Sequence, residues 1–230
     1  MLYNYIWVGG LFYDLPIGFE DRVKELMPIL KETISEVKIL VQENPIFIKR
    51  TANIGVLDLD LAINYGATGP VLRGSGLAYD LRKVDGYSVY PELEFNIPVG
   101  KGLVGTTGDC WDRNHVRILE CEESIGIIEQ CLEKLVKEHK RTKEFDPQEF
   151  VPKKIRPKAM DIYSRAENPK GELGFFIRSN GKSDIPERIK ARACSFHHLH
   201  IIPEISKGLY IADFVAVIGS MDLVMGEVDR

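Results

Sequence analysis

The chain has 230 residues, enough for one large domain or two small ones. Apolar residues make up 44% and charged residues 28%, ordinary for a globular protein, and the net charge of -4 gives no reason to expect nucleic-acid binding. The longest apolar stretch, Tyr210 to Gly219, is interrupted by Asp213 and is too short to span a bilayer.

Met1 is followed by Leu2-Tyr3-Asn4-Tyr5 without a basic region, so no secretory signal is expected. Residues 3 to 18 combine glycines with aromatics (Trp7-Val8-Gly9-Gly10, then Asp14-Leu15-Pro16) and read as extended or looped. Glu20 to Glu43 reads as a helix. Val23, Leu26, Leu30, Ile34, Val37 and Val41 recur at spacings of three and four, which predicts one core-facing stripe. Pro28 inside it predicts a kink or a late start. Asp58 to Asn64 reads as a short helix, and the glycine-rich run from Gly66 to Gly76 as a loop.

The strongest helical pattern runs from about Asp112 to His139. Ile118, Cys121, Ile125, Ile128, Leu132 and Leu135 form a stripe that asks for a helix partner and makes Cys121 a core thiol. From Lys134 to Lys158 the chain is charged and holds Pro147, Pro152 and Pro157. This reads as a solvated connection, with a basic docking arm as the alternative, and 140–158 is taken as a connecting segment within one domain of residues 1–230. Leu173 to Arg178 and Glu187 to Ala193 flank a turn with Asn180-Gly181 and predict an antiparallel hairpin. A last helix is expected over Leu209 to Ile218. The fold class is therefore mainly α with a small antiparallel β-hairpin (α+β).

Several groups could carry chemistry. Cys110, Cys121, Cys131 and Cys194 contain no C-x-x-C pair, so they read as reduced thiols rather than a zinc site. In Phe196-His197-His198-Leu199-His200, only His197 and His200 can share a helical face, and no H-E-x-x-H pattern supports a metal site. The loop Gly69 to Gly76 lacks the endings that phosphate loops use, and lets Arg73 reach a neighbouring chain. In Glu167-Asn168-Pro169-Lys170-Gly171-Glu172, Lys170 is either exposed or presented into a cavity. The tail, Asp222-Leu223-Val224-Met225-Gly226-Glu227-Val228-Asp229-Arg230, packs three carboxylates and an arginine among apolar side chains, and is either frayed or buried for a purpose.

Together these runs resemble one family. They are Gly9-Gly10 with Asp14-Leu15-Pro16, and Gly66-x-Thr68-Gly69-Pro70-Val71-Leu72-Arg73-x-Ser75-Gly76. Asp80-Leu81-Arg82-Lys83, Tyr87-Ser88-Val89-Tyr90 and Gly108-Asp109-Cys110-Trp111-Asp112-Arg113 come next, then Asn168-Pro169-Lys170-Gly171-Glu172 and Gly226-Glu227-Val228-Asp229-Arg230. The family is the hydrogenase-like, quinone-site subunit of respiratory complex I, the D-type subunit in bacteria and the 49-kDa subunit in mitochondria.

The resemblance implies a part in NADH:quinone oxidoreduction and the C-terminal half of the [NiFe]-hydrogenase large-subunit fold. It implies quinone at a shared site, no metal bound by this chain, and an iron–sulfur cluster held by a neighbouring subunit. Hydrogenases carry a D-P-C-x-x-C-x-x-H tail. Val224, Glu227 and Arg230 stand where its two cysteines and histidine would be, and no thiolate remains to hold nickel. The implied quinone-site or cluster-facing residues are Lys170, Asp222, Val224 and Arg230, with none assigned as catalytic.

The family is longer than this chain, and the family's quinone-headgroup ligands fall in the half not represented here. A separate N-terminal-half polypeptide is therefore expected, with a truncated chain as the alternative. The other implied partners are the iron–sulfur-cluster subunit, further peripheral-arm subunits and a membrane-arm subunit at the quinone entry. The implied location is a membrane-associated complex on the cytoplasmic face of a bacterial inner membrane or the matrix face of the mitochondrial one. A scaffold subunit of the same complex, without quinone contacts, is the competing reading.

Overall fold

The computed structural model describes residues 6–7, 10–11, 15–138 and 156–229. Two short strands, β1 (Ile6–Trp7) and β2 (Gly10–Leu11), pair antiparallel. Helix α1 spans Phe19–Val37 and passes into a π-helical turn, Lys38–Gln42. Pro28 lies within α1, and the helix starts ahead of it, so there is no late start.

The core-facing stripe expected along α1 is corrected. Leu26, Leu30, Val37 and Val41 are exposed, while Met27 is buried. The inner face is set by α6 (Cys110–Glu138), which α1 meets antiparallel: Lys31 pairs with Glu129 at 2.6 Å and Lys38 with Glu122 at 3.1 Å. Gln42 fixes the end of this pairing. Its side-chain oxygen accepts from Asn114 at 2.6 Å and its carbonyl accepts from the Trp111 indole at 3.2 Å.

The short helices are set by side-chain caps that satisfy amides left free at a helix start. Asn44 caps α2 (Pro45–Thr51), accepting from Ile46 at 2.8 Å with Pro45 in the first turn. Asp58 caps α3 (Leu59–Asn64), and the expected short helix is there. The run expected as a loop from Gly66 to Gly76 instead holds helix α4 (Gly69–Gly74), entirely buried. Its apolar Val71 and Leu72 pack into the core with Leu57, Ala62, Ile201 and Val217, and that tertiary contact overrides glycine's poor helix propensity. Asp80 caps α5 (Leu81–Val84), followed by a 3-10 turn at Tyr90–Glu92. Asp109 Oδ1 accepts from the Asp112 amide at 2.8 Å and so caps α6.

Along α6, Ile118, Ile125 and Leu132 are buried, but Cys121 is exposed rather than a core thiol. The four cysteines are free. Residues 139–155, most of the charged connection, lie outside the described residues.

The expected two-stranded hairpin is a three-stranded antiparallel sheet, β3 (Met160–Asn168), β4 (Gly171–Ser179) and β5 (Arg188–Arg192), in the order β3-β4-β5. Asn168 pairs with Gly171, so Pro169-Lys170 is the tight turn of β3–β4 rather than a segment ahead of a hairpin. Strand β3 is not legible in the sequence because its charged residues, Asp161, Arg165 and Glu167, hide its period.

Helix α7 (Cys194–Ile205) follows, then α8 (Ile211–Met221) and α9 (Met225–Asp229). The fold is α+β, and no described helix is long and apolar enough to cross a membrane.

Candidate functional site

Two depressions differ in chemistry. The larger, 780 Å³ between α1 and α6, has an apolar floor of Met27, Leu132 and Val136, and its charged groups are a rim of solvent-exposed helix side chains such as the Lys31–Glu129 pair. The smaller, 370 Å³, is lined by Arg73, Arg82, Arg117, Glu120, Glu167 and Asp222. It is the chemical candidate, because charged groups from several separate segments meet there.

Arg73 does not reach a neighbouring chain. Its side chain is 2% exposed, and α4 aims it into the protein. Nε donates to Glu120 at 2.6 Å, and one terminal nitrogen donates to Glu167 at 2.8 Å and to the Tyr79 carbonyl at 2.9 Å. Asp80 lies 3.6 Å away and is held mainly by Arg82 at 2.6 Å. Glu167 also accepts from the Leu81 amide at 3.2 Å.

Burial penalises the charges of Arg73, Asp80, Glu167 and Arg117, and its balance against the partners' charges differs from one to the next. Burial opposes the charge of Arg73, but Glu120 and Glu167 raise its pKa above the ordinary value. Burial opposes ionisation of Asp80, yet Arg82 holds it below the usual carboxylate range. For Glu167 burial wins, and its pKa lies above the usual range despite Arg73. Arg117 is lowered by burial, with Asp222 pulling the other way. Its Nε is buried without a hydrogen-bond partner among the described residues.

Asp222 ends α8 in the left-handed conformation (φ 54°, ψ 54°), which turns its carboxylate back toward the cleft. There it bonds the ammonium of Lys170, and Arg117 Nε lies 3.8 Å away. Lys170 is therefore not an exposed lysine: its side chain is 24% exposed and paired. The β3–β4 turn carries it there, and α4 sets the turn's position. Gly69 has φ +65° and leaves room for the Gly171 backbone, and Thr68 Oγ1 accepts from the Glu172 amide at 3.0 Å.

The tail is neither frayed nor wholly buried. Leu223 packs on the core, whereas Val224 and Met225 are exposed. Glu227 anchors α9 to α7. Its carboxylate accepts from the Cys194 amide at 3.2 Å and from the Ser195 hydroxyl, so it caps α7, whose own cap residue Ala193 offers no side-chain acceptor. Ser195 Oγ also accepts from the Val224 amide at 3.3 Å. Burial, then Glu227, pushes the Cys194 thiol up to about 12. The structure thus brings together Lys170 and Asp222, while the Val224 amide is bonded to Ser195. Arg230 lies outside the described residues.

The histidines do not converge. His197 and His200 each place Nδ1 on a carbonyl of their own helix segment, Ala193 and Phe196. His198 is buried, and its Nε2 accepts from the Thr68 amide at 3.4 Å. Among the described residues, no group of three or more His, Cys, Asp or Glu side chains could hold a metal ion.

Burial, then Arg117, pushes His198 down to about 3. The folded state therefore keeps it neutral where an unfolded histidine already binds a proton. Stability from this group is complete above about pH 6.5 and is lost as pH falls toward 3. Unfolding free energy should drop by roughly 3 kcal/mol between pH 6.5 and 4 from this residue. Denaturation of His198→Gln, which keeps an acceptor for Thr68, should lack that component. Equal pH slopes in both proteins would refute it.

Glu120 and Arg117 belong to no run singled out in the sequence. Glu120 differs from any helical surface glutamate only in facing Arg73, which is a tertiary fact. Glu167 opens the run from Glu167 to Glu172, but nothing in that run gives it a role or points to Arg73.

The family of this α+β chain is shown by its sequence matches. The model of the respiratory-chain NADH dehydrogenase, 49 Kd subunit, matches residues 1–230, and the chain belongs to that family. It is 69% identical over 230 residues to the D 1 subunit of NADH-quinone oxidoreductase from Cytophaga hutchinsonii, covering 100% of this chain and 59% of that protein. It is 58% identical to the D subunit from Amoebophilus asiaticus, covering 57% of it, and 54% identical to that from Chlorobium phaeovibrioides, covering 56%. The chain thus spans less than two thirds of the length of these relatives.

Proposed function

We propose that this chain forms one wall of the quinone-reduction site of a proton-translocating NADH:quinone oxidoreductase, as a peripheral-arm subunit that is not catalytic alone. The observation that carries this is the meeting of Lys170 with Asp222, 52 residues apart in sequence, at the rim of a cleft lined by Arg73, Arg82 and Arg117. Fixed charge at such a rim stabilises the negative charge that develops on a quinone during reduction, and a partly dry cleft strengthens it.

In this reading the exposed Val224 and Met225, with Arg230 beyond the described residues, face the neighbouring iron–sulfur subunit, which holds the terminal cluster. The tail is a hydrogenase-type metal site without its thiolates, and the chain corresponds to the C-terminal half of that large-subunit fold. Residues 1–230 act as one unit. It works with the N-terminal portion that its relatives carry, whether in the same chain or another, with other peripheral-arm subunits, and with the membrane-arm subunit at the quinone entry. The complex sits on the cytoplasmic face of a bacterial inner membrane or the matrix face of the mitochondrial one.

Asp222→Asn and Val224→Phe, in the assembled complex, should lower NADH:quinone reductase activity about tenfold or more or shift quinone-site inhibitor sensitivity. Assembly on native gels and NADH oxidation by an artificial acceptor should be unchanged. Normal quinone kinetics in both variants would sink the assignment. Lost assembly with normal specific activity would favour a scaffold subunit instead.

A further inference from the structure

Helix α7 turns two buried polar side chains to the same side. Ser195 and His198 are 0% and 1% exposed, and a separation of three residues puts them on one helix face. Each bonds a segment of the cleft rather than its own helix. Ser195 Oγ donates to Glu227 and accepts from the Val224 amide at 3.3 Å. His198 Nε2 accepts from the Thr68 amide at 3.4 Å, and Thr68 Oγ1 in turn accepts from the Glu172 amide at 3.0 Å.

The two arms end at matching places. Val224 lies two residues past Asp222, and Glu172 lies two residues past Lys170. One face of α7 therefore holds both segments whose side chains meet at the rim of the cleft. The meeting does not hold them by itself. The Lys170 and Asp222 side chains are 24% and 43% exposed, and an ion pair so open to water fixes little. Hydrogen bonds inside the protein, where water does not compete, fix more. His198 shows what this arrangement costs. With Nε2 accepting, its proton sits on Nδ1, which is buried without a partner among the described residues. A buried donor left unbonded opposes folding, and an apolar side chain would fill the space without that penalty. What the imidazole supplies instead is the position of Thr68, and through it the β3–β4 turn.

We propose that Ser195 and His198 are positioning residues of the quinone-reduction site: from one face of α7 they set the tail and the β3–β4 turn so that Asp222 and Lys170 meet. This deepens the quinone-site reading and rests on it for the kinetic consequence, whereas the positioning is read from the charge pair directly.

Two measurements test it. In the 230-residue chain, acylation mass spectrometry reads Lys170. Ser195→Ala and His198→Leu should each speed its modification about three- to fivefold, the protection that an accessible ion pair gives, with far-UV circular dichroism unchanged. His198→Gln, which keeps an acceptor for Thr68, should restore the parent rate, and His200→Gln, on the exposed side of α7, should leave it as it is. In the assembled complex with a short-chain quinone, Ser195→Ala and His198→Leu should lower kcat/KM for the quinone about tenfold, while NADH oxidation by an artificial acceptor is unchanged. Ser195→Ala combined with Asp222→Asn should be no slower than Asp222→Asn alone, because the serine acts through the segment that carries the aspartate. Lys170 modified at the parent rate in both α7 variants, or losses that multiply in the double variant, would overturn the proposal. Normal quinone kinetics in Asp222→Asn would instead end the quinone-site reading, and the acylation rates would still decide the positioning.

Discussion

Arg73→Met is expected to destabilise the chain by about 3–5 kcal/mol, because it leaves buried carboxylates without their cation. Glu120 and Glu167 bond this guanidinium at 2.6 and 2.8 Å, and Glu167 is 4% exposed. Methionine fills similar space but returns neither charge nor donors. Arg73→Lys should recover only part, since one ammonium cannot meet Glu120, Glu167 and the Tyr79 carbonyl in the geometry of the planar fork. The pH dependence gives a second reading. Glu167 already has its pKa raised by burial, against the pull of Arg73, so removing Arg73 raises it further. A carboxylate with a raised folded-state pKa costs stability above that pKa, and the cost fades as pH falls toward the unfolded value. The deficit of Arg73→Met should therefore shrink between pH 7 and about pH 5. Arg73→Met with Glu167→Gln should recover part of it at pH 7. Denaturant titrations of the single and double variants measure both effects. A deficit that is small, or that grows on acidification, would contradict the network.

Gly69→Ala is expected to cost about 3 kcal/mol or more and to release Lys170 from Asp222. Two penalties coincide. Gly69 sits at φ +65°, which an L side chain rarely adopts, and an added Cβ would lie 2.4 Å from Gly171 Cα and 2.6 Å from Gly171 N. Both are backbone atoms of the turn that carries Lys170, so the turn itself must move. Acylation mass spectrometry should show faster modification of Lys170, alongside a lowered Tm. Gly126→Ala is the contrast: it lies in α6 with nothing within 4 Å of its added Cβ, and should raise stability by up to about 1 kcal/mol. If Gly69→Ala matched Gly126→Ala, the close approach of α4 to the turn would be wrong.

The residues of the cleft are unequally legible in the sequence. Lys170 stands in a Pro-Lys-Gly segment that leaves it either exposed or presented into a cavity, and Asp222 opens a tail of conspicuous charge density. Their pairing is not legible, since 52 residues and much of the sheet separate them. Arg73 is misread because a run rich in glycine and proline looks like a loop. Burial of Val71 and Leu72 makes it a helix and sends the arginine inward. The stripe on α1 is visible in the sequence, but the side it serves is not. Periodicity reports that a face is apolar, not which neighbour covers it. Glu227 shows the same limit: nothing local says that a tail carboxylate caps a helix starting 33 residues earlier.

By itself the sequence determined the two long helices, the short helix from Asp58 to Asn64, the β4–β5 pairing, and membership of the family through its motif runs. These depend on local periodicity, on short-range hydrogen bonds and on residue identity. Only the tertiary structure decided that Arg73 is buried against Glu120 and Glu167, that Lys170 meets Asp222, and that one face of α1 is left uncovered. Those outcomes depend on which segments approach each other, and on whether burial or a partner's charge prevails where they meet.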